Sequence, residues 1–258
     1  MEKSNKIIAH HGGYRTLLSF GFVNLIYHAT MVFCERNYNY KNDPLGKSRG
    51  QMEGAARSAR QNIVEASTRA GTSCETELRL LDVAKGSLQE LAGDYEVYIG
   101  HIGELPWDCH EESFVTVKNM ELDRFRVNDF ENQRREFALW LKVTRQRFSG
   151  WLENENPYIA ANAQLIIIDR ASALLHRQVE WLTEKFVENG GMTERMSKAR
   201  IEFRKNQSEE QASRGEVPSC PLCGKPMRVH KASRGVNVGK RFWGCIGYPE
   251  CKGTRRID

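Results

Sequence analysis

Four cysteines near the C-terminus carry the clearest chemistry in this 258-residue chain. Cys220-Pro-Leu-Cys223 is followed, after 21 residues, by Cys245 and then by Cys251. Two thiolates separated by two residues can hold one ion from a tight turn, and a second pair completes the tetrahedron that zinc prefers. Pro221, Gly224 and Pro226 around the first pair, with Gly244, Gly247 and Pro249 around the second, supply turns. Between the pairs, Val229, Val236, Val238 and Phe242-Trp243 are β-formers sufficient for a small antiparallel hairpin. A segment of about forty residues buries too little to fold unaided, so metal is expected to supply much of its stability. The expected ligands are Cys220, Cys223, Cys245 and Cys251 on one Zn2+ ion. Four thiolates leave no open position for a catalytic water, which makes that zinc structural. His230 lies between the pairs and could rival a thiolate, although four cysteines already suffice.

Charge is concentrated around the same cysteines. The whole chain has a net charge of +5, but Glu216 to Asp258 holds nine Lys or Arg against three acidic residues, leaving the first 215 residues at −1. Arg228, Lys231, Arg234, Lys240, Arg241, Arg255 and Arg256 alternate with Phe242, Trp243 and Tyr248. Cations that attract phosphates beside rings that stack on bases make a surface for single-stranded DNA or RNA. The competing reading makes Phe242 and Trp243 the minimal core of the ribbon, with the charges as its solvated shell. In so small a domain, one of the two aromatics is expected to be core.

The preceding residues supply helices to carry this segment. Leu18, Phe22, Leu25, Ala29 and Val32 recur at helical spacing between Gly13 and about Tyr38, and Asn42-Asp43-Pro44-Leu45-Gly46 ends that run. Met52, Ala56, Ala59, Ile63 and Ala66 mark a second helix that stops at Gly71. Thr72 with Glu75 predicts a capping box for a third, whose stripe is Leu80, Ala84, Leu88, Leu91, Tyr95, Tyr98 and Ile102. Leu165, Ile168, Ser172, Leu175, Val179, Leu182 and Phe186 repeat every seven residues along a last helix from about Pro157 to Glu188. The pattern predicts a mainly α fold: an antiparallel four-helix bundle over 1–190 with an insertion at about 107–156, and a small C-terminal β zinc ribbon over 218–258. Within the insertion, Phe114 to Val117 reads as a short strand and Asp129 to Leu152 as a helix. Residues 191–217 read as a polar helix fading into a linker.

Gly86 and Ser87 are poor helix formers in mid-helix, which predicts close approach of another backbone there. Asn62 and Glu65 either hydrogen-bond across to the start of the third helix or face solvent. Arg134, Arg135, Lys142, Arg145 and Arg147, interleaved with Phe137, Trp140, Phe148 and Trp151, read either as a further nucleic-acid surface or as an ordinary amphipathic helix.

Two resemblances add to these readings. Cys220-Pro-Leu-Cys223-Gly224-Lys-Pro-Met, Ser233-Arg234-Gly235 and Phe242-Trp243-Gly244-Cys245-Ile-Gly-Tyr248-Pro249-Glu-Cys251 resemble the C-terminal zinc ribbons of bacterial type I DNA topoisomerases. That resemblance implies single-stranded nucleic-acid binding. Ala56-Arg57-Ser58-Ala59-Arg60-Gln61-Asn62-Ile63-Val64-Glu65-Ala66-Ser67, then Glu75 and Leu78, then Ala84-Lys-Gly86-Ser87-Leu88-Gln-Glu90-Leu91, form the second group. They resemble the four-helix-bundle family of proteins encoded in ribosomal RNA intervening sequences and of the accessory variability determinant of diversity-generating retroelements. A bundle with a ribbon is similar to its four helix bundle suffix domain subgroup. The resemblance implies a homo-oligomer, often a pentamer, with a basic surface to which Arg57, Arg60, Arg69, Arg79 and Lys85 would contribute.

Other chemistry is poorly supplied. Cys109-His110 is one sequence-local pair, a weak signature for a nucleophile and its base, and no phosphate-cradling Gly-rich loop occurs. No run of about 18 or more apolar residues is found, and the start lacks the apolar stretch of a signal peptide, so no membrane partner and a cytoplasmic location are expected. The sequence reading is therefore a non-enzymatic nucleic-acid-binding protein with an oligomerising bundle and a zinc ribbon. The alternative is a protein-interaction adaptor, for example an accessory subunit for a reverse transcriptase or another nucleic-acid enzyme.

Overall fold

The computed structural model describes residues 13–213, 217–232 and 238–257. A 3-10 turn, Gly13–Thr16, leads into α1 (Leu18–Asn37), α2 (Lys47–Arg69), α3 (Cys74–His101), α4 (Glu112–Asn119), α5 (Gln133–Leu152), α6 (Pro157–Asn189) and α7 (Met192–Ser213). Strands β1 (Met227–Lys231), β2 (Arg241–Cys245) and β3 (Thr254–Arg256) follow. The fold is mainly α with a small antiparallel sheet, and the chain divides into two compact units, Met1–Arg195 and Met196–Asp258.

In the first unit, α1 packs on α2, α2 on α3, α3 on α6 and α6 back on α1, closing four long helices around one core. Small residues allow the close approach of α2: Ala55, Ala56, Ala59 and Ala66 are all buried there. Every residue of α1 from Ser19 to Ile26 is buried, because α2, α5 and α6 cover it from different sides. The expectation that no segment is apolar enough to span a bilayer fails for this helix on length and composition. Its mean hydropathy reaches 1.2 over an 18-residue window, yet 67% of that window is buried inside the protein. Its apolar surface is used in the core.

Local chemistry sets the helix ends. Asn156 caps α6 by accepting the Tyr158 backbone N–H at 3.0 Å, with Pro157 in the first turn. Gly190, at φ 69°, ends α6 one residue beyond the limit of about Glu188 expected from the sequence. The cap of α3 falls one residue later than the sequence suggests. Ser73, not Thr72, accepts the Thr76 N–H at 3.2 Å, while the Thr72 hydroxyl donates back to the Arg69 carbonyl. Glu75 accordingly does not reach back and pairs with Arg79 at 2.6 Å.

Two further expectations are corrected, and one open alternative is decided. Phe114 to Val117 is helical within α4, because Val117 is buried and Phe114 and Met120, three residues to either side, pack on the same core. Among the described residues nothing approaches Gly86; a Cβ there would meet nothing within 4 Å. Its neighbour Ser87 is buried and accounts for the close contact of α2 with α3, through a 2.9 Å hydrogen bond to the Ser58 hydroxyl. Asn62 bonds within α2 to Ser58, and Glu65 lies exposed beside Arg69, so neither crosses to the start of α3.

The insertion folds back on the bundle. On α5, Phe137 and Phe148 are buried, and Trp140 and Trp151 pack against the core. The Phe20, Phe125, Phe137 and Trp140 rings form one cluster, with centroids 5.2 to 5.9 Å apart. These aromatics hold α5 to the bundle and do not present rings to a ligand.

Glu77 on α3 is buried, and burial raises its carboxyl from 4.5 to about 7. The folded chain therefore holds this proton more tightly than the unfolded chain, and stability falls as pH rises from 4.5 to 7. Glu77→Gln removes the ionisable group. The expected outcome is a melting temperature a few degrees above wild type above pH 7, and little difference below pH 4.5, read by circular dichroism across a pH series.

Candidate metal centre and nucleic-acid interface

The sheet of the second unit has the order β1-β2-β3, with both pairs antiparallel. Met227 lies opposite Cys245, Val229 opposite Trp243 and His230 opposite Phe242; Phe242 in turn faces Arg256, and Trp243 faces Arg255. Side chains alternate along a strand and directly paired residues share a face. One face therefore carries Met227, Val229, Lys231, Arg241, Trp243, Cys245 and Arg255. The other carries Arg228, His230, Phe242, Gly244, Thr254 and Arg256.

The metal centre forms on the first face. Cys220, Met227 and Cys245 are buried together, with Trp243 and Cys251 packed against them. The sulfurs of Cys220 and Cys251 are 3.6 Å apart, those of Cys223 and Cys245 3.4 Å, and all four lie within 4.8 Å of one another. A zinc tetrahedron with bonds of about 2.3 Å places its sulfurs roughly 3.8 Å apart, so the four donors fit one zinc ion. The backbone is shaped for thiolates. Leu222 N–H points at the Cys220 sulfur at 3.4 Å, and Gly247 N–H points at the Cys245 sulfur at 3.3 Å. The Leu222 amide draws the Cys220 thiol down to about 7, favouring the ligating form, while Cys245 and Cys251 are raised, against the pull of the Gly247 and Gly253 amides, by burial and the neighbouring sulfurs.

Each cysteine pair sits on its own turn. Cys220 N–H donates to the Lys225 carbonyl at 2.8 Å and Gly224 N–H to the Cys220 carbonyl at 2.9 Å, with Gly224 at φ 70°. Cys251 N–H donates to Gly247 at 2.8 Å, and Cys245 N–H to Gly253 at 2.9 Å, which ties the second turn to the sheet. Gly253 is required for a reason that spacing does not reveal: a Cβ there would run into the Cys220 sulfur.

The register decides which aromatic is core. Trp243 packs over the thiolates, and Phe242 points to the opposite face, half-buried beside His230. The His230 and Phe242 rings are 5.8 Å apart and inclined by 30°. His230 is thus a ring of the open face and not a ligand. Gly244 makes room for it, since a Cβ at Gly244 would lie 2.7 Å from His230 Cδ2. Arg228 and Arg256 flank this ring pair, whereas Lys231, Arg241 and Arg255 belong to the metal face. Lys240 is exposed just before β2, Tyr248 is exposed in the second turn, and Arg234 lies outside the described residues. The sequence reading gave His230 as a rival ligand and Gly244 as a turn residue; their place beside Phe242 escaped it because only strand pairing brings the three together.

On the helical unit, Arg57, Arg69 and Arg79 are exposed, and Lys85 is half-buried and 4.0 Å from Asp82. Arg60 is not a surface residue of the same kind. Its Nε donates to Asn24 Oδ1 at 2.9 Å, and its guanidinium lies over the Phe20 and Tyr27 rings. Asp108, Cys109 and His110 bring donor atoms within 4.8 Å of one another on an exposed turn. There Asp108 accepts the His110 backbone N–H and Glu111 accepts that of Asp108, a hydrogen-bonded turn that leads into α4.

Cys245→Ser is expected to release zinc and unfold the ribbon while the helical circular dichroism stays nearly intact; a thiol-reactive metal dye reports the release. Gly253→Ala is expected to weaken zinc retention against a chelator, with all four cysteines present.

Residues 217–258 match the family model of the topoisomerase DNA binding C4 zinc finger. No curated protein and no solved structure matches the chain. The family match covers the metal centre and the three strands and stops short of the helices.

Proposed function

We propose that the chain is a non-enzymatic nucleic-acid-binding protein whose ribbon engages single-stranded DNA or RNA and whose helical unit is an oligomerising scaffold. One observation carries the first part: the sheet face opposite the zinc presents Phe242 and His230 between Arg228 and Arg256. Rings take bases by stacking, and the guanidiniums take the phosphates on either side. Trp243 supports this face from behind, through the metal core. The match to a topoisomerase DNA binding zinc finger supports the same reading.

The scaffold reading rests on the resemblance of the helical segment to the bundle family and on one face of α3. Gly86, Gly93 and Gly100 recur every seven residues there, and a side chain at any of them would meet nothing within 4 Å. Each glycine costs a helix roughly 1 kcal/mol relative to alanine. Three on one open face favour close packing of another helix, supplied by a second copy. Several ribbons on one oligomer would raise apparent affinity through effective concentration.

Phe242→Ala is expected to cost about 1–3 kcal/mol of single-strand affinity while retaining zinc. Arg256→Gln is expected to reduce the slope of log affinity against log salt by about one. Labelled single-stranded DNA, single-stranded RNA and duplex, each titrated across a salt series, provide the measurement. Absence of binding to all three would overturn the ribbon reading and favour the adaptor. Gly93→Glu is expected to lower the molar mass measured by light scattering; a wild-type chain that is monomeric at micromolar concentration would overturn the scaffold.

A further inference from the structure

The insertion builds a groove of about 490 Å3 against the bundle, independent of the ribbon. His28 of α1 forms one wall, and Lys142, Arg145, Gln146 and Ser149 of α5 form the other, with Glu153 at the end of α5. The α5 residues recur every three or four positions and so share one stripe. Glu153 is already engaged. Its Oε1 accepts Arg145 Nε at 3.0 Å and Nη2 at 2.9 Å, and its backbone carbonyl accepts Arg36 Nη1 at 2.6 Å. Arg145 is therefore held in place at the groove with further N–H donors to spare.

The charged side chains lining the groove, Lys142 and Arg145 against Glu153, leave one net positive charge there. His28 is shifted downward by burial first, then by Arg145 and Arg60, against a smaller opposing effect of Glu153. Arg60 is itself fixed by Asn24 and the two aromatic rings, so this charge is permanent. Lys142 is exposed and extends the cationic wall, while Gln146 and Ser149 add neutral donors. Ala138 and Leu141 complete the lining with apolar surface. The volume falls in the range of small-molecule sites, well beyond that of a lone anion.

We propose that the α1–α5 groove binds a nucleoside phosphate, with Lys142 and Arg145 on the phosphate and the apolar wall against the sugar or base. The chemistry is the same for a free nucleotide and for one residue of a strand, and the assignment does not depend on the ribbon reading. Rings that the sequence interleaves with these cations are spent in the core, which leaves charge and hydrogen bonding as the means of recognition.

The test follows the His28 imidazole NMR signal, identified with His28→Gln, in the zinc-loaded full-length chain. Adenosine monophosphate is one probe. A short oligothymidylate, added to the Phe242→Ala chain so that ribbon binding is weakened, is the other. A saturable shift with the mononucleotide assigns the groove to free nucleotides, and a shift with the oligomer alone assigns it to a strand. Lys142→Glu, at an exposed position, is expected to weaken either response about tenfold or more, and Lys142→Arg to preserve it. No shift with either probe, an equal shift from sodium chloride at matched ionic strength, or a response unchanged in Lys142→Glu would overturn the proposal.

Discussion

Convergence of four cysteine sulfurs is the constraint on which the C-terminal unit depends. Among the described residues its buried apolar residues are few, Cys220, Met227 and Cys245, with Trp243 and Cys251 against them. Three strands of three to five residues cannot hold their register on that basis. One zinc ion held by two turns would pin the end of the sheet where β1 starts, β2 stops and β3 starts, and the sheet in turn sorts its side chains onto two faces. Metal coordination and ligand display are thus coupled through strand alternation. The same β2 strand that contributes Cys245 and Trp243 to the metal side presents Phe242 on the other.

The helical unit solves a different problem with more material. Four long helices share an apolar core, and small residues on α2 set how closely it is approached. Several polar groups inside this core pair between helices, Ser58 with Ser87, Thr30 with Tyr95 and Asn24 with Arg60, whereas the buried amide of Gln164 and the Ser172 hydroxyl have no partner among the described residues. Such pairs avoid the cost of unsatisfied buried donors and fix the rotation of neighbouring helices. The insertion adds a further layer through its aromatic residues, and by covering α1 it turns the most apolar helix of the chain into an interior element.

Basic residues consequently have three distinct fates. Arg228 and Arg256 flank an open ring pair, Arg60 is absorbed into a contact between α1 and α2, and Arg145 is locked by the carboxylate at the end of its own helix. Only position in the tertiary structure separates a cation available to a phosphate from one that holds two helices together. Net charge by segment located the polyanion-seeking end of the chain, but it could not make this distinction.

By itself, the sequence determined what depends on local spacing. The spacing within each cysteine pair marks the zinc ligands and helical periodicity places the long helices, α6 from about Pro157 included, because each of these is a pattern among residues close in the chain. The tertiary structure decided everything that depends on which distant residues meet. Phe114 to Val117 became helix because a core was present to receive Val117. Gly86 proved open because nothing among the described residues packs there. Phe242 rather than Trp243 reached the open face, with His230 as its neighbour, because shifting a strand by one residue exchanges its two faces. Register is set by pairing across the sheet, and a single strand read alone has no means of specifying it.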